Sequence, residues 1–396
     1  MSIDTDISIW LSLVFIIGGL YALAKSADMF VDASAAIAHR FGISPLIVGM
    51  VIIGFGTSAP ELAVSAVSAS GGHPSLSLGN AYGSCIFNIA GILGVAALMR
   101  PFAVKPSVSW FAVPLLALIT GLSWFLLCDG AFSRCDGVVL LSLFAFVLPF
   151  YCWFDQKMTC GKASCCGDCA CAGGRPVWVE WVRIVSGLAI LVASSHLLVW
   201  GSVDFARDVI GASDLLIGLT IVAIGTSLPE LAAAVASVKK GENEFVIGNI
   251  VGSNLFNTLA VVGIAGAISP FSDFGRYVLV RDLPVMFVLS LSVAFFGMNF
   301  RRPRSAGRVT RLKGAVWILL FVVYALVMAM QELSAAPAAP ALRDDLLVQV
   351  KSTYDGTMQP CWFWAPEKAK AQSVPLVVGL HTWSADYTQK SHYAAC

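Results

Sequence analysis

Charged side chains are scarce in this chain: Asp, Glu, Lys and Arg make up 12% of its 396 residues, against 58% for the apolar types. Soluble domains carry about a quarter charged residues, so the composition excludes an ordinary soluble domain and places most of the chain in lipid. Acids and bases nearly balance, with a formal net charge of +1, and no basic excess points to a nucleic-acid partner. A removable leader is also missing. Asp4 and Asp6 stand where a leader has its basic segment, and no small-residue cleavage site follows the first apolar run.

What the chain has instead is long apolar runs. A helix needs roughly 20 apolar residues to span a bilayer, and such runs lie near 7–25, 44–69, 77–99, 107–128 and 137–154. A polar, cysteine-rich break follows at 155–176, then five more runs near 178–203, 213–238, 245–268, 277–299 and 313–331. Helix is the expected state, because lipid offers no partner to open backbone groups. The expected fold class is an all-α membrane protein of ten transmembrane helices. Residues 1–154 form its first half, 155–176 a cytoplasmic loop, 177–331 its second half, and 332–396 an extracytoplasmic tail. Orientation follows from the excess of Lys and Arg in alternate loops, including Arg40, Arg100, Lys105, Lys239, Lys240 and the cluster from Arg301 to Lys313. These loops are assigned to the cytoplasm, which leaves both termini outside.

The two halves are copies. A shift of 169 (230 − 61) superimposes them without a gap over about sixty residues. Gly42, Ser44, Leu46, Gly49 and Ile52 meet Gly211, Ser213, Leu215, Gly218 and Ile221. GTSAPEL at 56–62 meets GTSLPEL at 225–231, and GNAYGSCIFN at 79–88 meets GNIVGSNLFN at 248–257. Shared apolar composition explains matching Leu and Ala, but not matching Pro-Glu, Asn and Gly at one fixed offset. Five spans per half is an odd number, so the second copy enters the membrane from the opposite side. That is an inverted-topology repeat, an architecture suited to alternating access around a midplane site.

The copied stretches carry oxygen chemistry. Glu61 and Glu230 are acids inside membrane helices, which marks them as functional candidates. Pro60 and Pro229 lack an N–H and clash with the carbonyls of Gly56 and Gly225, freeing these oxygens at membrane depth. Thr57, Ser58, Thr226 and Ser227 add hydroxyls within a turn. Asn88 and Asn257 follow their glutamates at the same interval, 27 residues (88 − 61 and 257 − 230), and offer amide oxygens. Carboxylate, amide, hydroxyl and carbonyl oxygens suit a hard cation such as Ca2+ or Na+. Each Glu has a bland alternative as a protonated helix–helix hydrogen bond, and each Asn as interhelical glue. Ser84 and Ser253 are weaker candidates of the same kind.

These paired motifs resemble the alpha repeats of the cation/calcium exchanger superfamily, and most of all its bacterial inner-membrane branch, over residues 7–331. The resemblance implies ten helices, with the second, third, seventh and eighth enclosing the ion sites. It implies ligands at Glu61, Glu230, Asn88 and Asn257, with help from Thr57, Ser58, Thr226, Ser227, Gly56 and Gly225. The implied function is antiport of Ca2+ against Na+, with Ca2+/H+ antiport as the variant. No cofactor or obligatory protein partner is implied beyond the ions and the bilayer of an inner (plasma) membrane. Potassium-dependent relatives have an aspartate where Asn257 stands, so potassium independence is expected. Cys85 replaces the asparagine found at Asn254 in the second copy, and reads as a packing residue.

Other classes fare worse. A cation channel keeps the acids but has no need of inverted halves. The tail carries VPLVVGL at 374–380, which weakly resembles a strand near the start of an α/β-hydrolase, yet no G-x-S-x-G elbow follows. A membrane-tethered hydrolase is therefore a poor reading. Cys160, Cys165, Cys166, Cys169 and Cys171 in the central break match no zinc module and read as a reduced, variable linker, with metal sensing as the alternative. Cys361 and Cys396 are a possible pair in the tail.

Overall fold

The computed structural model describes residues 3–71, 74–106, 108–160, 175–205, 223–272, 276–299, 305–335, 347–351 and 358–362. They fall into two compact units, Met1–Ala325 and Leu326–Cys396.

The first unit is helical. Its helices are α1 (Ile3–Phe41), α2 (Pro45–Thr57), α3 (Ala59–Ser70), α4 (74–99), α5 (Val108–Leu127) and α6 (Arg134–Cys160). Then follow α7 (Val177–Phe205), α8 (Leu228–Lys240), α9 (Asn243–Ile268) and α10 (Val278–Gly297), and then α11 (Arg311–Ala335), which the unit boundary after Ala325 divides. Among the described residues eight helices are long and apolar enough to cross a membrane, or nine when the bent pair α2 and α3 counts as one span. The remaining expected span, 213–238, lies partly outside the described residues. Its described part is the turn Ala223–Gly225 and α8.

The first helix is longer than the run at 7–25 suggests. The Lys25–Asp32 stretch reads as the start of a loop, but α1 continues to Phe41. Ala27, Phe30, Val31, Ile37 and Ala38 recur at helical spacing and pack into one apolar cluster with Ile184 and Leu191 of α7. The charges lie on the outer face, where Lys240 Nζ sits 2.6 Å from Asp32 Oδ1 and donates to the Asp28 carbonyl at 2.6 Å. What looks like a loop in the letters is the polar face of an amphipathic extension. Gly42, at φ +61°, supplies the left-handed residue that stops it.

Burial orders the remaining helices. The apolar window of α9 is buried throughout, whereas that of α11 is mostly exposed. Large apolar side chains such as Ile17, Phe125, Val185, Phe295 and Leu319 point outward, as a lipid-facing surface requires. A short antiparallel pair, β1 (Phe102–Val104) with β2 (Gly307–Val309), ties the segment after α4 to the one before α11. A single bridge between Phe132 and Phe271 links the loops before α6 and after α9.

One local feature recurs at the repeat interval. Both α4 and α9 widen into π-helix, over Phe87–Leu93 and Phe256–Val261. Such bulges often mark functional positions, because the inserted residue turns side chains out of the regular register. Asn88 and Asn257 each lie in one.

In the second unit, β3 (Leu347–Lys351) pairs antiparallel with β4 (Met358–Trp362), with Leu347 opposite Trp362. The 374–380 stretch, Cys396 and the cysteines at 165–171 lie outside the described residues.

Candidate cation site

The site begins at two helix breaks. Ser58 (φ −86°, ψ 3°) separates α2 from α3, and Ser227 (φ −99°, ψ 13°) precedes α8. The axis bends by 43° between α2 and α3. Pro60 and Pro229 then occupy the second position of the new helices, where a missing N–H costs nothing. The prolines thus stand in the first turn of a restarted helix, next to the bend in the first copy. Glu61 and Glu230 fall in the first turn of α3 and α8, at the positive end of the helix dipole.

Glu61, Glu230, Asn88, Asn257, Thr57, Ser58 and Ser227 are all completely buried. Gly56 and Gly225 are buried too, and Thr226 is half-buried. The halves interlock. The bulge that carries Asn88 packs on α8, which carries Glu230, and the bulge that carries Asn257 packs on α3, which carries Glu61. Each asparagine-bearing bulge thus packs on the glutamate-bearing helix of the other half, a crossing invisible in the equal 27-residue intervals. Ser58 Oγ donates across the halves to Glu230 Oε1 at 3.1 Å.

Buried polar atoms are normally paired. Here both carboxylate oxygens of Glu61, Oε2 of Glu230, Oδ1 of Asn88, Oδ1 of Asn257 and the Thr226 hydroxyl have no hydrogen-bond partner. A few orphan atoms occur elsewhere, such as Tyr151 Oη and Asp155 Oδ2, but these belong to five residues singled out by the repeat. Among the described residues no three His, Cys, Asp or Glu side chains form a metal-binding group. The donor set is two carboxylates with amides and a hydroxyl, a hard-cation inventory.

The two glycines leave room for close helix approach. The open side of Gly56 faces Leu188 and Phe30, and that of Gly225 faces Val199, so both admit neighbouring helices. The Gly225 carbonyl accepts a hydrogen bond from Ser195 Oγ at 3.1 Å. Protein thus satisfies the oxygen freed by Pro229, through a serine on α7 that motif reading did not find.

Sequence reading also overlooked a supporting layer. Asn249 Nδ2 donates to the Glu230 carbonyl at 3.2 Å, and Asn88 Nδ2 donates to Asn254 Oδ1 at 3.0 Å. Asn254 Nδ2 in turn donates to the Cys85 carbonyl at 3.3 Å. Asn88 is thereby oriented with its oxygen free. Cys85 is buried with Sγ 3.8 Å from the Asn254 carbonyl and 3.9 Å from Thr258 Oγ1. The signal for Asn249 was present, since the GN of GNIVGSN repeats the GN of GNAYGSC.

Fold and site together define a multi-pass membrane protein with an oxygen-lined centre between two copied halves. A profile of the sodium/calcium exchanger protein family matches residues 11–153 and 179–330, and the chain belongs to that family. It is 39% identical to CaxA of Alkalimonas amylolytica, provisionally named an antiporter, over 78% of this chain and 96% of the relative. It is 38% identical to the inner membrane protein YrbG of Escherichia coli, over 75% of this chain and 91% of the relative. The solved structure of the sodium-calcium exchanger NCX_Mj, soaked with Na+ and Sr2+, superposes with a TM-score of 0.66 at 27% identity, covering 80% of this chain and 98% of that one. The family is one of transporters, not enzymes.

Proposed function

We propose that the protein exchanges Ca2+ for Na+ across an inner (plasma) membrane by alternating access. It works as ten spans in two inverted five-helix halves, with both termini outside and 155–176 as the cytoplasmic linker. The observation that carries this is the set of unpartnered buried oxygens on Glu61, Glu230, Asn88 and Asn257, at copied positions of the two halves. Relatives named as exchangers, among them the sodium/calcium exchanger MaX1 of Methanosarcina acetivorans at 27% identity, support the same reading.

The charges explain exchange. Two carboxylates present −2 at the site, which one Ca2+ neutralises and two Na+ neutralise equally. An isolated acid at the bilayer centre costs about 2.5–3.5 kcal/mol on insertion scales, and two facing each other cost more. Reorientation of the empty site is therefore disfavoured, and each crossing needs a cargo. Ser58, bonded to Glu230, holds one carboxylate while the other remains free to close on an incoming ion.

Uptake of 45Ca into proteoliposomes is expected to rise with an outward Na+ gradient and to stay flat with an outward H+ gradient. Uptake driven by H+ alone would identify Ca2+/H+ antiport, and uptake under neither gradient would defeat the exchanger reading. Flux that continues with no counter-ion opposite would indicate a channel. With the neutral Asn257, rates are expected to be equal in K+ and in choline; a requirement for K+ would refute potassium independence.

A further inference from the structure

The repeat pairs Thr57 with Thr226, Glu61 with Glu230 and Asn80 with Asn249, all at the interval of 169. The structure treats the members of each pair differently. On one side, Asn249 Nδ2 donates to the Glu230 carbonyl at 3.2 Å, and the Thr57 hydroxyl, 3.0 Å from the Ile53 carbonyl, also lies 3.4 Å from Asn249 Oδ1. Asn249 thus joins three helices, α2, α8 and α9. The corresponding links would join Asn80 Nδ2 to the Glu61 carbonyl and the Thr226 hydroxyl to Asn80 Oδ1. Neither is made: Asn80 Nδ2 and Thr226 Oγ1 are buried without a partner. The serines break the symmetry in the same sense. Ser58 donates to Glu230 at 3.1 Å, whereas its counterpart Ser227 donates to Ser84 at 3.2 Å, and Glu61 keeps both oxygens unpaired.

A two-fold repeated sequence held asymmetrically has a counterpart in which the halves exchange roles, with the same pairwise bonds made by the mates. Interconversion of two such states is what alternating access requires. A buried amide that loses its partner is costly and one that gains it is rewarded, so these asparagines bias the balance between the states.

We propose that Asn249 and Asn80 are alternating positioning residues. Asn249 ties Glu230 to α2 in the state described here, and Asn80 ties Glu61 to the Thr226 turn in the opposite-facing state. The assignment deepens the exchanger reading and rests on its inverted halves. Removing one amide leaves the other latch intact, so Asn249→Ala moves the population toward the Asn80-latched state and Asn80→Ala moves it back. A shift of about tenfold in the ratio is expected from one lost buried hydrogen bond.

The test uses the full chain in proteoliposomes, with the other cysteines replaced and a single reporter from Ser65→Cys or, separately, Ala234→Cys. These mates (65 + 169 = 234) lie one turn beyond Glu61 and Glu230. Labelling with an impermeant maleimide is timed from each face. The expected result is that Asn249→Ala and Asn80→Ala shift the ratio of labelling rates in opposite directions. Shifts in the same direction, or none from either, would overturn the proposal. Should an alanine variant fail to reach the membrane, Thr57→Val and Thr226→Val, which remove only the hydroxyl of each latch, are expected to show the same opposition. The labelling ratio needs no Ca2+ transport. Opposite shifts without Ca2+ flux would leave the latch standing and defeat the exchanger reading; Ca2+ flux with parallel shifts would do the reverse.

Discussion

Glu61→Gln is expected to abolish Ca2+ uptake, and Glu230→Gln to do the same. Glutamine keeps the shape of the side chain and removes one of two charges. A site at −1 that holds Ca2+ carries a net +1 through the membrane interior, where an unneutralised charge costs a few kcal/mol. Each 1.4 kcal/mol is tenfold, so a loss of more than about a hundredfold in uptake follows. Folding is expected to survive. Glu61 has no side-chain hydrogen-bond partner to lose, and a glutamine Oε1 at 230 can still accept from Ser58. Gel filtration in detergent, with the variant running as the parent does, separates lost transport from lost structure. If both variants kept uptake within a few-fold of the parent, the carboxylates would be helix–helix contacts and not ligands.

Gly252→Ala is expected to have the next largest effect, with Gly248→Ala close behind. A Cβ on Gly252 would lie 2.5 Å from the Met50 carbonyl oxygen, and one on Gly248 2.5 Å from that of Leu46. Both obstacles are backbone, so relief comes only by separating α2 from α9. Overpacking of this kind costs about 1–3 kcal/mol. The damage reaches the site, because the same crossing carries Ser253 Oγ to the Gly54 carbonyl at 3.3 Å and the Thr57–Asn249 contact at 3.4 Å. A lowered thermal midpoint together with a loss of uptake beyond about tenfold is expected, whereas Gly18→Ala, which meets nothing within 4 Å, should leave both unchanged. Parental behaviour in both α9 variants would show that the helices can part without consequence.

Span positions were legible because lipid imposes a length and an apolar composition that letters display directly. The exception was α1, whose second half packs on α7 with a polar outer face and so has too many charges to read as a span. The glutamates stood out for the opposite reason: an acid in an apolar run is conspicuous, and its copy at a fixed interval marks both as candidates. The partner of the Gly225 carbonyl was not legible, since a proline says that a carbonyl is freed but not that Ser195, thirty residues earlier (225 − 195), will meet it. The π-helical bulges around Asn88 and Asn257 were hidden as well, because the extra residue per turn arises from packing between helices.

The sequence by itself determined that this protein lives in a membrane and that it is built twice, and it singled out the acids and amides that are candidates for the site, because each of these is a matter of composition and interval. Tertiary structure alone decided the rest. It packed each asparagine-bearing bulge on the glutamate-bearing helix of the opposite half, left oxygens of all four residues without partners, and bonded Asn249 Nδ2 while leaving Asn80 Nδ2 unpaired. These are outcomes of how four helices cross, and two identical motifs in one chain contain no information about which of them a given conformation will satisfy.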